Sequence, residues 1–96
     1  MTERILIVED EPDIRATLEY NLHRENYLTE SVGTILEAEK ILKETQISII
    51  LLDLMLPDGS GLDLCRKLKS EKESSSIPII IPVSYTHLRA HETDSY

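Results

Sequence analysis

Hydrophobic residues in this chain fall into short continuous runs, separated by stretches in which they recur every three or four positions. Arg4 to Val8 (RILIV), Ile47 to Leu52 (ISIILL) and Ile77 to Ile81 (IPIII) are aliphatic runs of the length and type expected of strands buried on both faces. Tyr27 to Val32 (YLTESV) alternates loosely and predicts a fourth, more polar strand, second in chain order. Between the runs lie three helical patterns. Pro12 opens the first, where its missing N–H costs nothing, and Ile14, Leu18 and Leu22 form its stripe, with Asn26 at its end. Thr34 and Glu37 have capping-box spacing at the start of the second, whose buried face is Ile35, Ala38, Ile41 and Leu42. Leu62, Cys65 and Leu68 line the third, and Lys67 and Lys69 suit the negative end of its dipole. Residues 54–61 (LMLPDGSG) predict a loop, as does the polar stretch 71–76. The order β-α-β-α-β-α-β implies a parallel sheet with helices on both faces, and right-handed crossovers leave only a few doubly wound arrangements.

Composition narrows the function. At 96 residues the chain accommodates one small domain. A net charge of −8 argues against nucleic acid or an anionic membrane surface as a direct partner and fits a protein that holds a cation or meets a basic surface. The single Cys65 cannot form an internal disulfide, and residues 1–4 lack a leader pattern, so a reducing, cytoplasmic setting is expected. No apolar run approaches the roughly 20 residues that span a bilayer.

The candidate chemistry lies in three acids. Glu9 and Asp10 end the first strand and Asp53 ends the third. In a parallel sheet these ends share one edge. With strand order two-one-three, they meet where the order reverses, the usual ligand site of open α/β sheets. Carboxylates that close repel, so either they hold a hard divalent cation, for which Mg²⁺ is the natural candidate, or at least one stays protonated. A carboxylate beside Mg²⁺ can serve as nucleophile toward phosphorus. Taken singly, Glu9-Asp10-Glu11 also fits acids at a helix N-terminus, and Asp53 fits a loop-capping residue. Their coincidence at neighbouring strand ends favours a shared site. Cys65 reads as core and His23 as solvated. His87 and His91 have helical ligand spacing but lie in a stretch with no helical pattern.

The stretches ILIVEDEPDIR, IILLDLMLPDGSGLDLCRKLK and IPIII resemble the receiver domains of bacterial two-component response regulators, most closely the transcription-factor subclass with a winged-helix output domain. The resemblance runs from about Arg4 to Ile81 and implies a flavodoxin-like fold with strand order 2-1-3-4 in this chain. It implies that Asp53 accepts a phosphoryl group from a sensor histidine kinase. Asp10 and Glu9 would then bind Mg²⁺ with Asp53 and the backbone carbonyl of Met55, while Pro57 and Gly61 shape the adjoining loop. A receiver domain itself catalyses the transfer and its slow reversal.

The chain also departs from that pattern. The family's phosphoryl-binding Ser or Thr falls at Val83, which cannot donate, and no strand with the following Lys is present. The fifth strand and last two helices are missing, and with them the usual dimer face. Residues 83–93 (VSYTHLRAHET) instead resemble one translated frame of a transposon-end sequencing adapter. The expectation is therefore a partial receiver domain over 1–81 followed by a non-native-looking tail over 82–96, not competent to switch. A non-catalytic pseudo-receiver that binds partners through its surface is the alternative. A haloacid-dehalogenase-like phosphatase would want a second acid where Met55 stands.

Overall fold

The structure, a computed structural model, describes residues 3–53, 55–72 and 74–81. Four parallel strands form the main sheet: β1 (Arg4–Val8), β2 (Leu28–Val32), β3 (Ile49–Leu52) and β6 (Ile79–Ile80), in the spatial order β2-β1-β3-β6. Three helices connect them: α1 (Pro12–Arg24), α2 (Ile35–Glu44) and α3 (Gly61–Ser70). This is the flavodoxin-like arrangement expected of the sequence, with the fifth strand and last two helices not among the described residues.

Strand β1 is the centre of the sheet. Its register pairs Val8 with Val32 on one side and with Leu52 on the other. Ile5, Leu6, Ile7 and Val8 are all buried, as an aliphatic run between two neighbours requires. Side chains alternate across a strand, so the sheet has two unequal faces. Leu6, Val8, Ile50 and Leu52 pack with Ala38 of α2 and with Leu64 and Leu68 of α3 into the core. On the opposite face α1 packs against β1 and β2 and buries none of its own residues. The stripe Ile14, Leu18 and Leu22 does face inward, but stays only half-buried, because among the described residues a single helix covers that face. Ile49 and Leu51 are likewise half-buried, and Ile80, paired with Leu51, is 49% exposed.

Three local readings change. The expected loop after Asp53 contains a small antiparallel hairpin, β4 (Met55–Leu56) and β5 (Gly59–Ser60), turning at Pro57-Asp58. Proline presets the turn, and Gly59 takes a φ of +153°, which a side chain would resist. In α3 the buried stripe is Gly61, Leu64 and Leu68, with Cys65 half-buried, while Leu62 is 43% exposed. The polar stretch after α3 is anchored: the Ser74 hydroxyl donates to the Leu68 carbonyl at 2.7 Å, and Lys69 Nζ donates to the carbonyls of Ser75 and Ile77. The end of α1 follows expectation, with Asn26 in the left-handed region at φ 72°. The boundary expected after Ile81, the tail 82–96 and Val83 lie outside the described residues.

Candidate functional site

Backbone hydrogen bonds carry the acids to one place. Strand pairing continues past the strand ends: the Glu9 N–H donates to the Val32 carbonyl at 3.0 Å, and the Asp53 N–H to the Val8 carbonyl at 2.9 Å. Glu9 and Asp53 therefore leave the sheet side by side, and Asp10 follows before Pro12 starts α1. Carboxylate oxygens of Glu9, Asp10 and Asp53 all lie within 4.8 Å of one another. Glu9 and Asp53 are 3% and 5% exposed, while Asp10 is more open to solvent.

Glu9 stands in two settings at once. Its Oε2 accepts from the Glu11 N–H at 3.0 Å, so the side chain does serve the start of α1, yet it also stands in the acid cluster. All the donor atoms are carboxylate oxygens, the hard ligands that Mg²⁺ and Ca²⁺ take. Their separations suit a small ion, since opposite ligands of Mg²⁺ stand about 4.2 Å apart at a metal–oxygen distance of ~2.1 Å.

The other expected residues lie in the hairpin and helix that follow Asp53. Met55 begins β4, its backbone paired with Ser60. Pro57 sits exposed in the turn, and Gly61 is buried at the first position of α3. Ser60 caps that helix, accepting from the Leu62 N–H at 3.1 Å.

Sequence reasoning missed three residues beside the site. Arg15, in the first turns of α1, donates from Nη1 to the Glu9 carbonyl at 2.9 Å. Gly33 makes room for it: a Cβ there would lie 3.0 Å from Arg15 Nη1 and 3.8 Å from the Asp10 Cα. Asp58, in the hairpin turn, accepts from the first two N–H groups of α2. Gly33→Ala is expected to push Arg15 off the Glu9 carbonyl. The effect should be visible as a coupling of about 0.5–1.5 kcal/mol between Gly33→Ala and Arg15→Ala in a double-mutant cycle of unfolding free energies. Strict additivity would show that the guanidinium simply moves aside at no cost.

Comparison with known proteins agrees with the geometry. The model of the response regulator receiver domain matches residues 5–93. The phosphate regulon transcriptional regulatory protein PhoB of Rhizobium meliloti is 38% identical over 81 residues, covering 84% of this chain and 36% of that protein. The DNA-binding response regulator MtrA of Mycolicibacterium smegmatis is 35% identical over 86 residues, covering 90% of this chain and again 36% of the relative. The chain thus spans about a third of the length of either regulator. Among solved structures, the non-phosphorylated HemR receiver domain from Leptospira biflexa superposes with a TM-score of 0.75 at 32% identity, covering 95% of this chain and 75% of that one. With a family match over nearly its whole length and the acid cluster at the switch point of its sheet, the chain belongs to the response regulator receiver domain family.

Proposed function

We propose that this chain is a phosphoacceptor module, in which Asp53 takes a phosphoryl group from a sensor histidine kinase beside Mg²⁺ held by Glu9, Asp10, Asp53 and the Met55 carbonyl. The observation that carries the reading is the convergence of three carboxylates, two of them buried, at the end of the central strands. Three carboxylates that close repel one another, and a divalent cation would offset that repulsion. When bound, Mg²⁺ neutralises charge on the phosphoryl oxygens and so lets two anions approach. Asp53 supplies the nucleophile: its carboxylate oxygen forms the new P–O bond as the P–N bond of a phosphohistidine, or the P–O bond of a small acyl phosphate, breaks and the donor leaves with its electron pair. Glu9, held through Glu11 N–H, and Arg15, on the Glu9 carbonyl, keep the acid pair in place.

The relatives named above are a transcriptional regulatory protein and a DNA-binding response regulator. A parent regulator of transcription with a winged-helix output domain follows by analogy. In it the acidic receiver would meet the kinase in the cytoplasm and leave DNA contact to the output domain. No helix of the described residues is long and apolar enough to cross a membrane. The family match extends past the boundary drawn at Ile81, so sequencing the gene across codon 82 from independent template is the direct test of where the receiver portion ends.

Mg²⁺ titration by calorimetry tests the site. The unaltered chain should bind the ion, Asp10→Asn should weaken binding more than Glu9→Gln, and the double variant should lose it. Equal affinity of the double variant and the parent would reduce the acids to helix-terminal charges and favour a pseudo-receiver that works only through its surface.

A further inference from the structure

We infer that Asp58 is a positioning residue for the metal and phosphoryl site, fastening the hairpin that carries Met55 to the N-terminus of α2; the inference rests on the function proposed above. The start of α2 needs acceptors for its leading N–H groups. Its own sequence provides two: the Thr34 side chain accepts from Glu37 N–H at 3.2 Å, and the Thr34 carbonyl from Ala38 N–H at 3.1 Å. The remaining two, Ile35 N–H and Leu36 N–H, donate to Asp58 Oδ1 and Oδ2 at 2.9 and 3.1 Å. Both oxygens of one carboxylate are thus engaged by a helix more than twenty residues away in sequence.

A second observation places the hairpin against that helix. Gly59 sits at φ +153°, and a Cβ there would fall 2.9 Å from the Ile35 side chain. The positive φ is what favours glycine there, and the contact with the flexible end of Ile35 shows how closely the hairpin lies against α2. The other arm of the hairpin is fixed as well, since Ser60 pairs with Met55 and caps α3. Hydrogen bonds from Ile35 N–H first, and also from Leu36 N–H, hold the Asp58 carboxyl below its ordinary value of 3.8, so it is ionised and a full-strength acceptor at neutral pH. Between Asp53 and the first of these anchors lie only the four positions from Leu54 to Pro57. The position of the Met55 carbonyl is therefore set by where Asp58 and Ser60 are tied.

A residue that orients a metal ligand from behind commonly affects metal affinity about 10–100-fold. Asp58→Ala in the full chain should weaken Mg²⁺ binding by about 10-fold and shift the carbonyl ¹³C resonance of Met55 in the Mg²⁺-free protein. Both should be measured well below the unfolding temperature of the variant. Asp58→Asn, which keeps one acceptor oxygen, should fall between the two, and it stands in should Asp58→Ala not fold. A lowered unfolding temperature with unchanged Mg²⁺ affinity and an unmoved Met55 resonance would make Asp58 a helix cap and nothing more. That result would overturn the inference while leaving the site intact. A parent chain that takes up no Mg²⁺ overturns both.

Discussion

Asp53→Asn is expected to reduce Mg²⁺-dependent phosphorylation by acetyl phosphate to background, read as loss of the mass gain of one phosphoryl group and of the acid-labile linkage of an acyl phosphate. The amide keeps the shape of the carboxylate, so a side chain only 5% exposed still fits. What it loses is the anionic oxygen that attacks phosphorus. It also removes one of three negative charges crowded within 4.8 Å. The variant should therefore be at least as stable as the parent in the absence of Mg²⁺, because like charges that close disfavour the folded state. Loss of phosphorylation with stability retained separates the chemical role of Asp53 from a structural one. Labelling that persists at the parent's level would assign the acceptor to another residue.

Ile50→Ala should remove a large part of the folding free energy, about 2–5 kcal/mol from a total of roughly 5–15 kcal/mol for a domain of this kind. Ile50 is fully buried, pairs with Leu6 in β1 and Ile79 in β6, and belongs to the core under α2 and α3. Its neighbour provides the control: Ile49 points to the face that carries α1 and is half-buried, so Ile49→Ala should cost markedly less. The two variants differ by one position and the same atoms, so the contrast isolates face rather than chemistry. Urea unfolding of both checks it, and equal losses would mean that the two faces of the sheet are equally packed. Ile80→Lys extends the contrast to solution behaviour. This residue is 49% exposed on the outermost described strand, and a charge there should lower self-association measured by light scattering with little loss of stability.

Much of this architecture was legible in residue order. Aliphatic runs at Arg4 to Val8 and Ile47 to Leu52 read as strands buried on both faces, and the two pair in the middle of the sheet. Acids placed directly after such runs must emerge at the same sheet edge, which is why Glu9, Asp10 and Asp53 were recognisable as one candidate site and are found together. The capping pair Thr34 and Glu37, the proline at the start of α1 and the asparagine past its end are local devices, readable because the partners sit within a few residues.

What sequence left open depended on partners far along the chain. Leu62 had the spacing of a buried residue, but α3 rolls so that Gly61 and Leu64 face the core instead, a rotation set by where the helix meets α2 and the sheet. The half-burial of Ile14, Leu18 and Leu22 reflects how few helices cover that face among the described residues, which their periodicity does not encode. Asp58 and Gly59 read as ordinary turn residues, and Arg15 as a polar helix position. Their contacts with α2, Glu9 and Gly33 arise only once the crossovers bring separate segments into range. Periodicity and strand-end chemistry are properties of neighbouring residues, so the sequence alone determined the alternation of strands and helices and the three acids, while the strand order was what the family resemblance implied. The braces that hold those acids and their hairpin are hydrogen bonds between distant segments, whose geometry exists only after the chain has packed.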